Sequence, residues 1–439
     1  MSMLAARPVQ TQRMRAAMVL VLVLALAWAL GVLLSVKDVE TARAAVVLSV
    51  LAVVSLVVFW AVSRDDPEGP LLFTVLVMSL VLKLGAAYFR FAVGLLADAI
   101  VYHKVGQEMA WTLAAGEWPV MDRYWSTGFV RLMTGMIYLV TGPTFYGATI
   151  LWAWFGLMGM LFFYKAFVLA LPEGNRRLYM ALIFLYPSML LWTSSLGKDA
   201  LMVLALGMSA YGAARLQRRL DVPGLWWSSL GMAGMLMVRP HLVGVWAVAL
   251  VASLLVRPIR AGLLSPVVRL GALAVVVPAV LALVNTAAGF VKVDSLTPEA
   301  VLSFAERAGQ QTEQGGAAFA RVNPRSAAGL AFGALTVLFR PFPWEAHTAF
   351  ALVTALEGAG LLGLVLWRWK SVRDAVRELR GRSFVVLLLA YVGLFVFFFA
   401  HMGNFGIVAR QRVQVYPFVF MLLAYRGWGG APVEGTSRW

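Results

Sequence analysis

The sequence holds no cysteine among its 439 residues, which removes disulfides and thiolate metal sites from consideration. Charge is scarce too: Asp, Glu, Lys and Arg make up 13% of the chain, against about a quarter of an ordinary soluble domain. Acidic residues are the scarcer sign, 21 against 37 basic ones. No repeat recurs at a fixed period, and no stretch has the composition of a low-complexity linker. A disulfide-stapled scaffold, a repeat array and a string of soluble domains on linkers are all excluded.

Apolar sequence fills the space instead. The chain is 61% hydrophobic, with a mean hydropathy of +0.82. The expected fold class is all-α: one polytopic integral-membrane helical domain over residues 1–439. Runs of about 17–25 apolar residues are long enough to span a bilayer as helices. The spanning candidates, some of them shorter than that, are Ala17–Val36, Ala44–Ser63, Pro70–Arg90, Thr144–Leu171, Tyr179–Trp192, Ala200–Leu216, Leu225–Val238, Leu242–Val256, Val267–Ala287, Thr348–Trp367, Phe384–Ala400 and Val415–Tyr425. The expectation is about twelve transmembrane helices. Two shorter apolar pieces, Phe129–Thr141 and Ala327–Phe339, are read as re-entrant or interfacial segments.

Arg7, Arg13 and Arg15 precede the first run, and no A-x-A cleavage site follows it. A retained first helix with its N-terminus inside is expected. If the two short pieces do not cross, Arg176 and Arg177, Arg215/Arg218/Arg219, Arg257/Arg260 and the Arg368–Arg382 cluster all fall inside. The formal net charge of +16 then reflects basic loops at an anionic cytoplasmic leaflet, and no nucleic acid is expected as a partner. The 16 Trp and 12 Tyr suit interfacial belts. The location expected is the bacterial cytoplasmic membrane, multi-pass, with both termini cytoplasmic and the active face outside.

This topology gathers the polar interruptions on the outer face. Residues 91–128 form an outer loop with an acidic motif, containing Asp98, Tyr102, His103 and Asp122. Asp98 and Tyr102 are i,i+4 neighbours on one face of a helix, and a carboxylate with an imidazole at the bilayer surface suits proton transfer. Lys198 and Asp199 follow Ser194, Ser195 and Gly197 in a very short turn, whose small residues let a ligand approach the backbone. Arg239-Pro240-His241 interrupts an apolar run, Arg340 opens the R-P-F-P-W-E stretch that closes on Glu345, and Arg410-Gln411-Arg412 stands at the mouth of the last helix. Lys198, Arg239, Arg340, Arg410 and Arg412 are the phosphate-binding candidates, because arginine grips phosphate bidentately and lysine acts as a point charge. Tyr102, Asp122, Asp199, His241, Glu345 and His401 are further substrate-binding candidates. A histidine or arginine at a helix end is commonly just an interfacial anchor. All 4 histidines on one side are less easily explained that way. No H-x-x-x-H or H-E-x-x-H spacing occurs, so no metal ligands are assigned. Residues 288–326 form a second outer segment, expected to cap the site as a lid.

The D-x-x-x-Y-H of Asp98–His103, placed after an early helix, resembles the first external loop of GT-C type glycosyltransferases. The order of Asp98–Tyr102, Lys198-Asp199, Arg239-Pro240-His241 and Arg410-Gln411-Arg412 resembles that of membrane polysaccharide polymerases of the Wzy and EpsG kind. The resemblance lies in the layout of most of the chain rather than in one long motif. It implies a GT-C-like fold and a hexosyltransferase or glycan polymerase of cell-surface and exopolysaccharide biosynthesis. The donor would be a saccharide linked to a polyprenyl phosphate or pyrophosphate such as undecaprenyl phosphate, with a saccharide acceptor, in contact with the lipid bilayer. Asp98 and His103 are then the catalytic candidates. No cofactor is required on this reading. A divalent metal stays open, since the family's loop often carries adjacent acids whereas Asp98 is followed by Ala99. The rival expectation is a lipid-linked glycan flippase or other membrane transporter, for which Lys83 and Glu357 are the mid-span ionisable residues.

Overall fold

The computed structural model describes residues 38–219, 221–256, 326–379 and 382–427. The described residues are all-helical, 81% helix with no strand. The first apolar run, Arg257 and Arg260, the Val267–Ala287 run and residues 289–325 lie outside them.

The helices begin where short polar side chains cap them. Asp38 accepts the Thr41 N–H at 2.8 Å and opens α1 (Val39–Ser63). A short polar turn leads to α2 (Gly69–Ala92), which has a proline in its first turn. Then come α3 (Ala97–Ala114), α4 (Thr127–Thr141) and α5 (Phe145–Ala170). The expected Tyr179–Trp192 helix is broken: Pro187 ends α6 (Arg176–Leu185) and starts α7 (Pro187–Trp192), because a proline ring clashes with the preceding turn. After α8 (Lys198–Arg218), Asp221 caps α9 (Val222–Val238), and α10 is Pro240–Val256. Ser326 caps α11 (Ala327–Phe339) and Thr348 caps α12 (Ala349–Trp367). The rest of the described chain is α13 (Trp369–Arg377), α14 (Ser383–Phe399), α15 (Phe405–Gln411) and α16 (Tyr416–Leu423).

Among the described residues, α1, α2, α5 and α12 are the 4 helices long and apolar enough to cross a membrane. The other apolar helices, including α4, α9, α10 and α14, are shorter. Between His401 and Arg412 the chain is largely helical. Asn404 accepts the N–H groups of Gly406 and Ile407 and so nucleates α15, and a single 3₁₀ turn, Arg412–Gln414, joins it to α16.

Two compact units divide the chain: residues 1–160 with 180–204, and residues 161–179 with 205–439. In the first unit the starts of α1 and α5 are tied together. Glu40 accepts the Phe145 N–H at 2.8 Å, Thr144 donates to the Glu40 carbonyl at 3.2 Å, and Trp154 donates to Ser55 at 2.9 Å. Helices α3 and α4 form an antiparallel pair. Gly106 faces Thr134 and Gly135 faces Met109 so closely that a Cβ on either glycine would clash.

In the second unit α10 and α14 run antiparallel. His241 stacks on Phe398 at one end of the pair and Trp246 meets Tyr391 in the middle. At the other end Gln217 bridges Ser253 and Ser383. Trp246, Tyr391, Phe418 and Phe163 form an aromatic core, with Trp246 Nε1 donating to Ser209 at 2.7 Å. The loops sort to the two ends of this pair. Where α10 starts and α14 stops, Arg239 meets Gln411, Arg412 meets Val337, and Arg340 lies over Phe405. Where α10 stops and α14 starts, Arg382 meets Glu173 and Glu378, and Tyr425 meets Glu378. The sets expected outside and inside are thus separated within this unit.

The topology expected from the arginine pattern can be tested directly. Because the chain has no native cysteine, single cysteines report cleanly. Asp65, Asp122 and His347 are all exposed; with the N-terminus inside, Asp65, after the second run, is expected inside, and Asp122 and His347 are expected outside. In intact cells an impermeant thiol reagent is expected to label the Asp122→Cys and His347→Cys variants, and to label Asp65→Cys only after permeabilisation. Labelling of Asp65→Cys in intact cells would overturn the orientation.

Candidate functional site

Each unit carries a polar cluster of its own. In the first, α3 presents Asp98 in its opening turn, exposed, where a carboxylate complements the positive end of the helix dipole. Tyr102, one turn on, is buried, and Asp122 is exposed in the loop before α4. His103 is not Asp98's neighbour on the helix surface. Five residues at about 100° each turn it by about 140° away. Its Nδ1 lies 2.6 Å from the Tyr138 hydroxyl, and its ring meets those of Tyr138 and Phe145 edge-on. Tyr138 also reaches the Thr144 carbonyl at 3.1 Å. Burial holds the His103 imidazole below its ordinary pKa, against the pull of Glu40. His103 therefore joins the α3–α4 pair to the start of α5.

The Lys198-Asp199 turn is folded inward. Thr193, Ser194, Ser195 and Asp199 are buried, and the Thr193 and Ser194 hydroxyls donate back to Met189 and Leu190. Lys198 donates to Ser126 Oγ at 3.0 Å. Ser126 is the one non-glycine with positive φ, 57°, among the described residues, a costly conformation that clusters at functional sites. The 91–128 stretch and the Lys198 turn, far apart in sequence, thus meet in this unit. Lys83 is buried in α2 at 0% exposure and donates to the carbonyl and hydroxyl of Thr193. Thr193 in turn packs on Gly156 of α5, where a Cβ would collide with it. That contact lies about 16 Å along α5 from its first turn, at a rise of about 1.5 Å per residue.

In the second unit, Arg239 ends α9 and is buried. Its guanidinium donates to Gln411 Oε1, which also accepts from Gln414. Arg412 is 1% exposed. It donates to the Val337 carbonyl at 2.9 Å and to the Tyr416 hydroxyl at 3.4 Å. No carboxylate pairs with it among the described residues, and its Nη2 and the Gln414 Oε1 are buried without partners there. Arg410 lies in the last turn of α15, half-buried. Arg340, expected as a phosphate ligand, has its fork on Glu345: Nε lies 3.0 and 3.1 Å from the two carboxylate oxygens, and Nη2 binds one of them. Glu345 also accepts the Phe342 N–H at 2.8 Å. The pair follows from the Pro341 and Pro343 turn, which brings the two side chains together. Glu345, a substrate-binding candidate, holds this loop through those bonds. His241 stacks on Phe398, and His401 sits against the Phe397 carbonyl at 3.1 Å. Among the described residues no three His, Asp or Glu side chains gather to hold a metal ion.

Sequence reasoning did not find Ser126, Tyr138 or Gln414, the bond between Gln411 and Arg239, or the link from Lys83 to Thr193. These depend on which helices pack together. Comparison with protein families, with curated proteins and with solved structures finds no match.

The Arg340–Glu345 pair makes a pH prediction. Partial burial pushes the Glu345 carboxyl up, but the bonds from Arg340 and Phe342 outweigh it and hold it below its usual range. Stability from such a group is complete above about pH 4.3 and is lost as pH falls through its lowered value. At pH 7, Glu345→Gln should cost about 1.5–3 kcal/mol, the range for a hydrogen bond to a charged group. Thermal unfolding of the purified protein from pH 7 downward should show the parent converging on the variant in acid. Parallel curves would show that the pair does not hold the loop.

Proposed function

We propose that this chain is a membrane glycosyltransferase or glycan polymerase. It uses a polyprenyl-(pyro)phosphate-linked saccharide at the outer face of the cytoplasmic membrane, in cell-surface polysaccharide biosynthesis. The observation that carries the reading is Arg412. A guanidinium this deeply buried is costly unless an anion compensates it, and no carboxylate does so among the described residues. Gln411, next to it in the chain, engages Arg239, a second buried guanidinium. A phosphate is the anion that arginines bind best, through parallel N–H bonds. The GT-C-like fold and the polymerase class belong to this proposal.

In the proposed reaction, the Asp98 carboxylate takes the proton from an acceptor sugar hydroxyl. That oxygen bonds to the anomeric carbon of the donor. The bond from this carbon to the phosphate oxygen breaks, and its electron pair leaves with the lipid phosphate. Arg239, Arg410 and Arg412 stabilise the charge developing on the phosphate. Lys198, held by Ser126, supplies a further point charge. Arg340 shapes its loop through Glu345.

One observation favours the transporter reading: Lys83 is buried within a helix long enough to span, and ionisable groups there often line substrate paths. Here its bonds go to Thr193 in the Lys198 turn, which suits a structural support for that turn.

Two variants test the proposal on purified, reconstituted protein. Asp98→Asn should abolish saccharide transfer from a lipid-linked donor at normal expression. Arg239→Lys should weaken binding of a polyprenyl-phosphate analogue by about 10- to 150-fold, since the bidentate fork is lost. Wild-type transfer by Asp98→Asn would remove it as the base. Unchanged binding by a folded Arg239→Lys would sink the phosphate clamp. Movement of intact lipid-linked glycan across vesicles, blocked by Lys83→Met and without bond cleavage, would favour the transporter.

A further inference from the structure

The opposite end of the second unit carries a helix that the proposed reaction does not use. Helix α13, Trp369–Arg377, follows α12 after a single residue, Arg368. The corner between them is pinned, because Arg368 Nε donates to the Leu423 carbonyl at the end of α16 at 3.0 Å.

Eight of the nine residues of α13 fall in three strips, and the ninth, Asp374, lies at about 140° beside the cationic strip with its carboxylate 3.5 Å from Arg373 Nη2. With Trp369 as the origin and about 100° per residue, Ser371 and Ala375 lie at about 200° and 240°. Both are buried, and this is the strip that faces protein. Val372, Val376 and Trp369 lie at about 300° to 360°. Trp369 is 57% and Val376 47% exposed, and Trp367 at the end of α12 is 77% exposed. Arg373, Arg377 and Lys370 lie at about 40° to 100°, and all are exposed. An apolar strip with two tryptophans nearby therefore runs directly beside a cationic one.

Continuity says what covers them. Helix α12 is one of the helices long and apolar enough to cross a membrane, and it stops at Trp367. A helix starting two residues later lies at headgroup depth. There an apolar strip meets acyl chains and tryptophan is favoured. A neighbouring row of Lys and Arg meets lipid phosphates, for which it has complementary charge.

We infer that α13 is an interfacial helix lying along the lipid surface where α12 ends, with Trp369 and Val376 at the acyl boundary and Lys370, Arg373 and Arg377 on the headgroups of anionic phospholipid. It is a lipid contact distinct from any lipid-linked substrate and independent of the proposed transfer reaction.

The test uses the full chain in nanodiscs of phosphatidylcholine with a minor fraction of phosphatidylglycerol. Nitroxide labels are placed at Val376→Cys and, separately, Lys370→Cys, in a chain without other cysteines. The label at 376 should collide more with oxygen, which concentrates in the bilayer, and the label at 370 more with a water-soluble nickel chelate. Equal access to nickel at both sites overturns the inference. So does protection of 376 from both reagents, which would mean that protein covers it. For the charge strip, a dye at Val376→Cys is quenched by brominated phosphatidylglycerol. Each of Lys370→Gln, Arg373→Gln and Arg377→Gln should lower the local enrichment about fivefold. Quenching unchanged in the triple variant overturns the headgroup assignment. The collision measurement keeps the native arginines, so it decides the helix's placement even if the triple variant does not fold.

Discussion

A charge buried among apolar helices constrains everything around it. Arg412 has no room to reach water, so its guanidinium must be satisfied from within. The Val337 carbonyl and the Tyr416 hydroxyl do part of that. These contacts fasten the end of α11 to the start of α16. Tyr416 extends the link by donating to the Leu338 carbonyl at 3.0 Å. Arg239 and Gln411 add the end of α9 and the end of α15. Four helix ends are thus held together by these side chains.

The first unit solves a related problem differently. A turn of five residues after α7 is folded inward among apolar helices, so its polar groups need partners. Thr193 and Ser194 bond back to the preceding turn, and Lys83 covers the carbonyl that α7 leaves open. The turn is thereby rigid, and Lys198 leaves it in a direction that meets Ser126. The cost of the left-handed Ser126 backbone is borne by a loop already braced by Tyr124 on the Pro119 carbonyl.

Polar residues in such a protein do two separate jobs, and burial tells them apart. Arg340 with Glu345, and Arg382 with Glu173 and Glu378, are partly exposed ion pairs that fix loops. Arg239 and Arg412 are buried, Arg239 donating to Gln411 and Arg412 to the Val337 carbonyl and the Tyr416 hydroxyl. In the sequence these arginines look alike, because each borders an apolar run.

Composition and run length alone determined that the chain is helical and suited to a membrane. A backbone with little water to bond must bond to itself, and 61% apolar sequence leaves few alternatives. Run length also placed α1, α2, α5 and α12 within a few residues, and the arginine pattern sorted the loops into the two groups that the second unit keeps apart. Local chemistry accounts for the break at Pro187, visible as a proline though not as an end. What the sequence could not hold was pairing between distant positions. That Arg340 meets Glu345 while Arg239 meets Gln411, that His103 turns to Tyr138 rather than Asp98, and that Lys83 reaches Thr193 all depend on which helix lies beside which. Apolar surfaces pack with little regard for polar residues elsewhere in the chain, so those partners are decided only when the helices assemble.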